Sequence, residues 1–129
     1  MNHQPPAAVI AVVDDDPSIL RSLGSLLESA DHAVRLFASG EALLDSGSLS
    51  QIDCLISDID MPGIDGFELL QRVHCARPRL PIILVTGYPE RLKRLSPPAL
   101  TGCRVFIKPF QGPELLAAIS DLLRPQSAP

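Results

Sequence analysis

The sequence predicts a single α/β domain, a three-layer sandwich with helices on both faces of a parallel sheet. Three observations carry that expectation. Short, wholly apolar runs alternate with segments whose apolar residues recur at helical spacing. That alternation implies parallel strands joined by right-handed crossovers. At 129 residues the chain is also long enough to bury one proper core.

Each element has its own signal. Val9 to Val13 is an apolar pentad, as expected for a strand covered on both faces. Asp16-Pro17 follows as a cap with proline in the first turn, and Ile19, Leu20, Leu23, Leu26, Leu27 and Ala30 then mark a helix. Gly24 weakens that helix by about 1 kcal/mol. Ala33 to Phe37 reads as the second strand, and Ser39 caps a short helix bearing Ala42, Leu43 and Leu44. Ile52 to Ser57 is the third strand, ending in a loop from Asp58 to Asp65. Asp65 with Glu68 has capping-box spacing before a helix with Phe67, Leu69, Leu70 and Val73. Pro81 to Val85 is the fourth strand, Glu90 to Leu95 a fourth helical segment, and Val105 to Ile107 a short fifth strand. Gly112-Pro113 opens the last helix, with Leu115, Leu116, Ile119, Leu122 and Leu123 on its apolar face. The core is expected over about 9–124, with a frayed, disordered tail at 125–129. No repeat, low-complexity block or linker divides the chain.

Composition narrows the function. Hydrophobic residues are 46% and charged residues 20% of the chain, which fits a globular protein. The net charge is −4 and the isoelectric point about 5.2. That balance argues against direct nucleic-acid binding by this segment, which needs clustered Lys and Arg. The basic cluster Arg91-Leu-Lys93-Arg94 reads as a solvated helix face. No apolar run approaches a membrane span, and the N-terminus lacks the basic start of a signal peptide, so a cytoplasmic location without membrane attachment is expected. Cys54, Cys75 and Cys103 show no paired spacing and read as reduced thiols, which fits the same compartment. His3, His32 and His74 have no metal-ligand spacing and read as surface residues.

In a doubly wound sheet, ligands bind beyond the carboxyl ends of the strands. There the chain places Asp14, Asp15 and Asp16 after the first strand, and Asp58 and Asp60 after the third. Thr86 and Gly87 follow the fourth, and Lys108 and Pro109 the fifth. A single Asp at a strand–helix junction is more often a helix cap than a ligand, and Asp16 and Asp65 are assigned to that role. Capping does not explain a Thr and a Lys-Pro at the matching edges. Clustered carboxylates repel unless a cation neutralises them, and hard oxygen ligands without His or Cys point to Mg2+, with Mn2+ as an alternative. Lys108 adds a compact positive charge suited to a phosphate oxygen. This equipment suits phosphoryl transfer to a carboxylate.

At these residues the chain resembles the receiver domains of two-component signalling. The matching segments are Val12-Val-Asp-Asp-Asp16, Ser57-Asp-Ile-Asp-Met-Pro-Gly-Ile-Asp-Gly-Phe-Glu-Leu-Leu70, Val85-Thr-Gly87 and Phe106-Ile-Lys-Pro-Phe110, within a likeness running from about Val9 to Leu123. The stretch Pro17 to Leu44 is similar to the FixJ-like branch, whose members often carry a helix-turn-helix output domain. The resemblance implies a (βα)5 flavodoxin-like fold with strand order 2-1-3-4-5. It implies that Asp58 is the phosphoacceptor and a metal ligand, that Asp15 ligates Mg2+ directly and Asp14 through water, and that the Asp60 backbone carbonyl completes the protein's share. Thr86 would swing its hydroxyl to the phosphoryl group, and Lys108 would pair with one of its oxygens. Gly87 would leave room for both the group and the Thr86 shift, and the Lys108-Pro109 bond would be cis. The implied partner is a sensor histidine kinase or a phosphotransfer protein. A homodimer through the fourth helix, fifth strand and last helix is a further possibility of the family.

Three positions depart from the family pattern. Val105 stands three residues before the lysine, where receivers often carry an aromatic that rotates with the Thr, and Phe106 falls on the opposite strand face. Ser96-Pro97-Pro98 should end the fourth helix early. Asp60 places a carboxylate two residues beyond the acceptor and is expected to alter phosphoryl lifetime. Two other readings compete. Asp58-Ile-Asp60 resembles the Asp-x-Asp pair of haloacid-dehalogenase-type phosphatases, but that pair normally follows the first strand. A degenerate receiver serving only for docking would not need the full Asp15, Asp58, Thr86 and Lys108 set. The expectation is therefore a signalling switch and not an enzyme, beyond assisting its own phosphorylation and dephosphorylation. The short tail favours a stand-alone regulator over a receiver belonging to a longer transcription factor.

Overall fold

The computed structural model describes residues 8–94 and 103–124. In chain order these form β1 (Val9–Val13), α1 (Pro17–Ser29), β2 (Ala33–Phe37), α2 (Gly40–Asp45) and a 3-10 turn at Ser48–Gln51. Then follow β3 (Cys54–Asp58), α3 (Gly66–Ala76), β4 (Ile82–Thr86), a second 3-10 segment at Pro89–Arg94, β5 (Cys103–Ile107) and α4 (Gly112–Leu123). The strands pair in the order β2-β1-β3-β4-β5, and each pairing is parallel. This is the expected flavodoxin-like arrangement.

Alternation along the central strands sends side chains to two separate cores. Ile10, Val12, Ile56, Ile83 and Val85 pack with Leu23 and Leu27 of α1 and Leu115 and Ile119 of α4. Ala11, Val13, Leu55, Ile82 and Leu84 pack on the other face with Leu43 of α2 and Leu69, Leu70 and Val73 of α3. Every residue of β3 and β4 is buried, which is why those runs carry no outward polar face. Val105 packs into the second core while Phe106 joins the first, where its ring meets that of Phe110 edge-on at 5.5 Å.

The caps form as expected. The Asp16 carboxylate accepts from the Ser18 N–H, Ser39 Oγ from the Ala42 N–H, and Asp65 from the Glu68 N–H. At the amino end of the sheet, the Arg77 guanidinium donates to the carbonyls of Leu49 and Ile52 at 2.8 and 2.7 Å. It ties the end of α3 to the segment entering β3.

Some boundaries differ from the sequence reading. β3 begins at Cys54 and not Ile52: Ile52 is a buried core residue ahead of the strand, while the Asp53 carboxylate accepts from the Val9 N–H. β3 and β4 each run one residue further, so Asp58 and Thr86 are the last residues of their strands, Asp58 standing opposite Val85. The segment expected as a helix over 90–95 is a 3-10 helix over Pro89–Arg94. Pro89 lacks a donor, and the Arg91 N–H bonds three residues back to the Tyr88 carbonyl. His32 is half-buried and not a plain surface residue, with its Nδ1 buried and unpartnered. Cys54 is buried, and burial pushes its thiol up to about 12, so it stays protonated. Expectations for His3, Leu95, Ser96-Pro97-Pro98 and the 125–129 tail lie outside the described residues.

Candidate functional site

The carboxyl edge of the sheet brings the predicted residues together. Asp14 follows β1, its own N–H donating to the Phe37 carbonyl of β2, while its Oδ1 accepts from the Asp16 N–H at 2.9 Å. Asp58 ends β3 with its Oδ1 accepting from the Asp60 N–H at 3.1 Å. Lys108 is fixed by its N–H to the Thr86 carbonyl at 2.8 Å. Its ammonium lies 3.6 Å from Asp14 Oδ2 and equally 3.6 Å from Asp58 Oδ2. The Lys108-Pro109 bond is cis, as expected.

Carboxylate oxygens of Asp14, Asp15 and Asp58 lie within 4.8 Å of one another. Asp14 and Asp58 are buried and Asp15 is exposed. Burial raises the Asp14 carboxyl above the usual carboxylate range, with the Asp16 N–H and Lys108 opposing it and Asp15 adding to it. Burial likewise raises Asp58, with the Asp60 N–H opposing, Asp14 adding, Lys108 opposing and Asp60 adding. One ammonium does not balance this charge. Such an all-oxygen, over-charged pocket is compatible with Mg2+.

The imbalance has a pH signature. A carboxyl raised in the folded state keeps its proton where the unfolded chain has lost it. Stability from this source is therefore present at acid pH and is lost as pH rises from the ordinary carboxylate range through the raised folded value. Without divalent cations, Asp58→Asn is expected to raise the thermal midpoint at neutral pH. The gain should vanish in acid, where both states are protonated. A gain independent of pH would show that the charge of Asp58 is not its source.

Thr86 is fully buried, and its hydroxyl is bonded to residues other than Asp58. It donates to Asp60 Oδ2 at 2.9 Å and accepts from the Tyr88 N–H at 2.9 Å. The sequence reading gave Asp60 a backbone role and a carboxylate near the acceptor position; that carboxylate also accepts from Arg91 Nη1 at 2.7 Å through its other oxygen. Arg91 was read as part of a solvated face, and no periodicity marks its reach across 31 residues to Asp60.

Gly66 was also missed. A Cβ there would lie 2.5 Å from Ile59 Cα and 2.7 Å from the Asp58 carbonyl oxygen. Only glycine lets α3 start this close to the end of β3. Gly63, with φ +74°, makes the turn before it, and the Ile64 N–H donates to Glu41 of α2. At Gly87, next to Thr86, nothing lies within 4 Å of where a Cβ would sit.

A family profile described as the response regulator receiver domain matches residues 10–120. The chain belongs to the response-regulator receiver family. The FixJ transcriptional regulatory protein of Bradyrhizobium diazoefficiens is 36% identical to this receiver over 115 residues, covering 89% of this chain and 56% of the relative. The TodT response regulator of Pseudomonas putida is 33% identical over 121 residues, covering 92% and 52%. The chain thus spans about half the length of these curated relatives. Among solved structures, a response regulator receiver domain protein from Clostridium thermocellum superposes with a TM-score of 0.80 at 27% identity, covering 90% of this receiver and 94% of that chain. The family assignment supports a phosphorylatable receiver role. Among the described residues, no helix is long and apolar enough to cross a membrane.

Proposed function

We propose that this receiver takes a phosphoryl group onto Asp58 from the phosphohistidine of a sensor histidine kinase or phosphotransfer protein. A carboxylate oxygen of Asp58 forms the new bond to phosphorus. The phosphorus–nitrogen bond of the donor breaks, and its electron pair leaves with the imidazole. The observation that carries this reading is the placement of Lys108 equidistant from Asp14 and Asp58 above a carboxylate cluster at one sheet edge. Asp15 and Asp58, with the Asp60 backbone carbonyl and Asp14 through water, are the residues that would hold Mg2+. Bound there, the cation would neutralise charge developing on the phosphoryl oxygens. Lys108 holds the remaining charge, and Thr86 supplies a hydroxyl within the same edge. An apolar groove of about 560 Å³, lined by Ile19, Leu23, Leu26, Pro109 and Phe110, borders Lys108 and suits the approach of a protein donor.

The chain as one cytoplasmic receiver, its signalling output and a homodimer through the 89–94 segment, β5 and α4 belong to the same reading. Acetyl phosphate with Mg2+ tests it. The folded protein is expected to gain an alkali- and hydroxylamine-labile label on Asp58, with a change in size if the dimer forms. Asp58→Ala should gain none, and Asp60→Asn should change the decay rate. A label persisting in Asp58→Ala would move the acceptor elsewhere. Turnover of small phosphate esters would favour a phosphatase.

A further inference from the structure

Four contacts close a ring, and a fifth ties it to Asp58. Asp58 Oδ1 accepts from the Asp60 N–H, and Asp60 Oδ2 accepts from the Thr86 hydroxyl. Thr86 Oγ1 accepts from the Tyr88 N–H, and the Arg91 guanidinium lies 4.8 Å over the Tyr88 ring. Arg91 Nη1 then returns to Asp60 Oδ1 at 2.7 Å. Asp60 is the hinge of this ring, since each of its carboxylate oxygens holds one side of it. Its side chain is only 17% exposed, so its bonds to Thr86 and Arg91 are shielded, while Arg91 itself is half exposed.

We propose that Asp60 and Arg91 are positioning residues that hold the Thr86 hydroxyl on the Asp60 carboxylate. Arg91 fixes the Asp60 carboxylate, and Asp60 in turn competes with any anion on Asp58 for the one hydroxyl. Loading Asp58 therefore opens the ring and frees the 89–94 segment from the sheet edge. The site reports its state through an ion pair 31 residues apart in sequence. The inference rests on Asp58 being the phosphoacceptor.

The test exploits a conflict of sign. By charge alone, removing Arg91 takes a cation from the edge and weakens binding of an anion at Asp58. If Arg91 serves the ring, removing it relieves a contact made only in the unloaded state and tightens that binding. The probe is beryllofluoride with Mg2+, a phosphoryl mimic, titrated against the full chain. Tyr88 is the one tyrosine and there is no tryptophan, so its fluorescence reports on the adjoining 89–94 segment, whose Arg91 lies over its ring.

Arg91→Ala is expected to lower the beryllofluoride midpoint by about three- to tenfold, the size of one charge-assisted contact. Arg91→Lys should return most of the way to wild type. In an Asp60→Ala background, Arg91→Ala should lose its tightening effect. An unchanged or raised midpoint in Arg91→Ala, or the same tightening without Asp60, overturns the ring while leaving the acceptor intact. If wild type and Asp58→Ala respond alike, both the ring and the acceptor reading fall.

Discussion

Lys108→Ala is expected to slow Mg2+-dependent labelling of Asp58 by about a hundredfold, the loss typical of one pre-positioned charge-stabilising donor. The ammonium sits 3.6 Å from two buried carboxylates, so its removal has a second consequence. Asp14 and Asp58 would then face each other with no side-chain cation on Oδ2. A fully buried pair broken in this way costs about 3–5 kcal/mol. Lys108 keeps 30% of its side-chain surface, so the loss here should be nearer 1–2 kcal/mol at neutral pH. Mg2+ should restore the stability, because it replaces the missing charge, but not the labelling rate, because it does not replace the donor's position. Recovery of both would reduce Lys108 to a simple counter-ion. Denaturation midpoints and labelling rates, each with and without Mg2+, separate the two roles.

Gly66→Ala is the substitution expected to damage the fold most. The added methyl would sit 2.5 Å from Ile59 Cα and 2.7 Å from the Asp58 carbonyl oxygen. Both are backbone atoms, and neither can rotate aside. The Ile59 N–H is bonded to the Val85 carbonyl, and the Gly66 N–H to the Ile59 carbonyl, so relief would disturb the end of β3 or the start of α3. A loss of about 3 kcal/mol is expected, at the upper end for overpacking, with slowed labelling because Asp58 moves with its neighbour. Gly87→Ala is the natural control, since nothing crowds its Cβ position. Equal urea midpoints for the two variants would show that the close approach at Gly66 is absorbed without strain.

Much of this fold is legible from apolar periodicity, because the two cores follow strand alternation and helix spacing directly. The exceptions have physical causes. Asp58 and Thr86 were placed just beyond their strands because an apolar run ends at the first polar residue. In the structure, main-chain pairing continues through them, and they are buried polar strand residues. The converse error placed Ile52 in β3, since burial and strand pairing are different properties that one apolar side chain cannot distinguish.

At the site, the convergence of Asp14, Asp15, Asp58, Thr86 and Lys108 followed from topology, which sends every strand's end to one edge. Their orientations did not. Thr86 bonds to Asp60, whose other oxygen is held by Arg91, and that partner lies in a segment whose sequence signal described a short helix with a solvated basic face. Long-range pairing of two charged side chains leaves no trace in spacing. Gly66 was hidden for a related reason: its importance is a clash that would exist only with another residue present.

Arg77 gives the sheet an asymmetry with a bearing on how sequence change is tolerated. Its two bonds to the Leu49 and Ile52 carbonyls staple the amino edge, at the other end of β3 from Asp58. Losses at that edge reach the cell as fewer folded molecules. At the opposite edge, where the carboxylates and Lys108 meet, substitutions reach the fold and the site together, since α3 starts against the Asp58 backbone and Lys108 pairs with two buried carboxylates. One sheet therefore divides its vulnerability by direction: the end where each strand begins bears on abundance alone, and the end where it stops bears on abundance and site geometry at once.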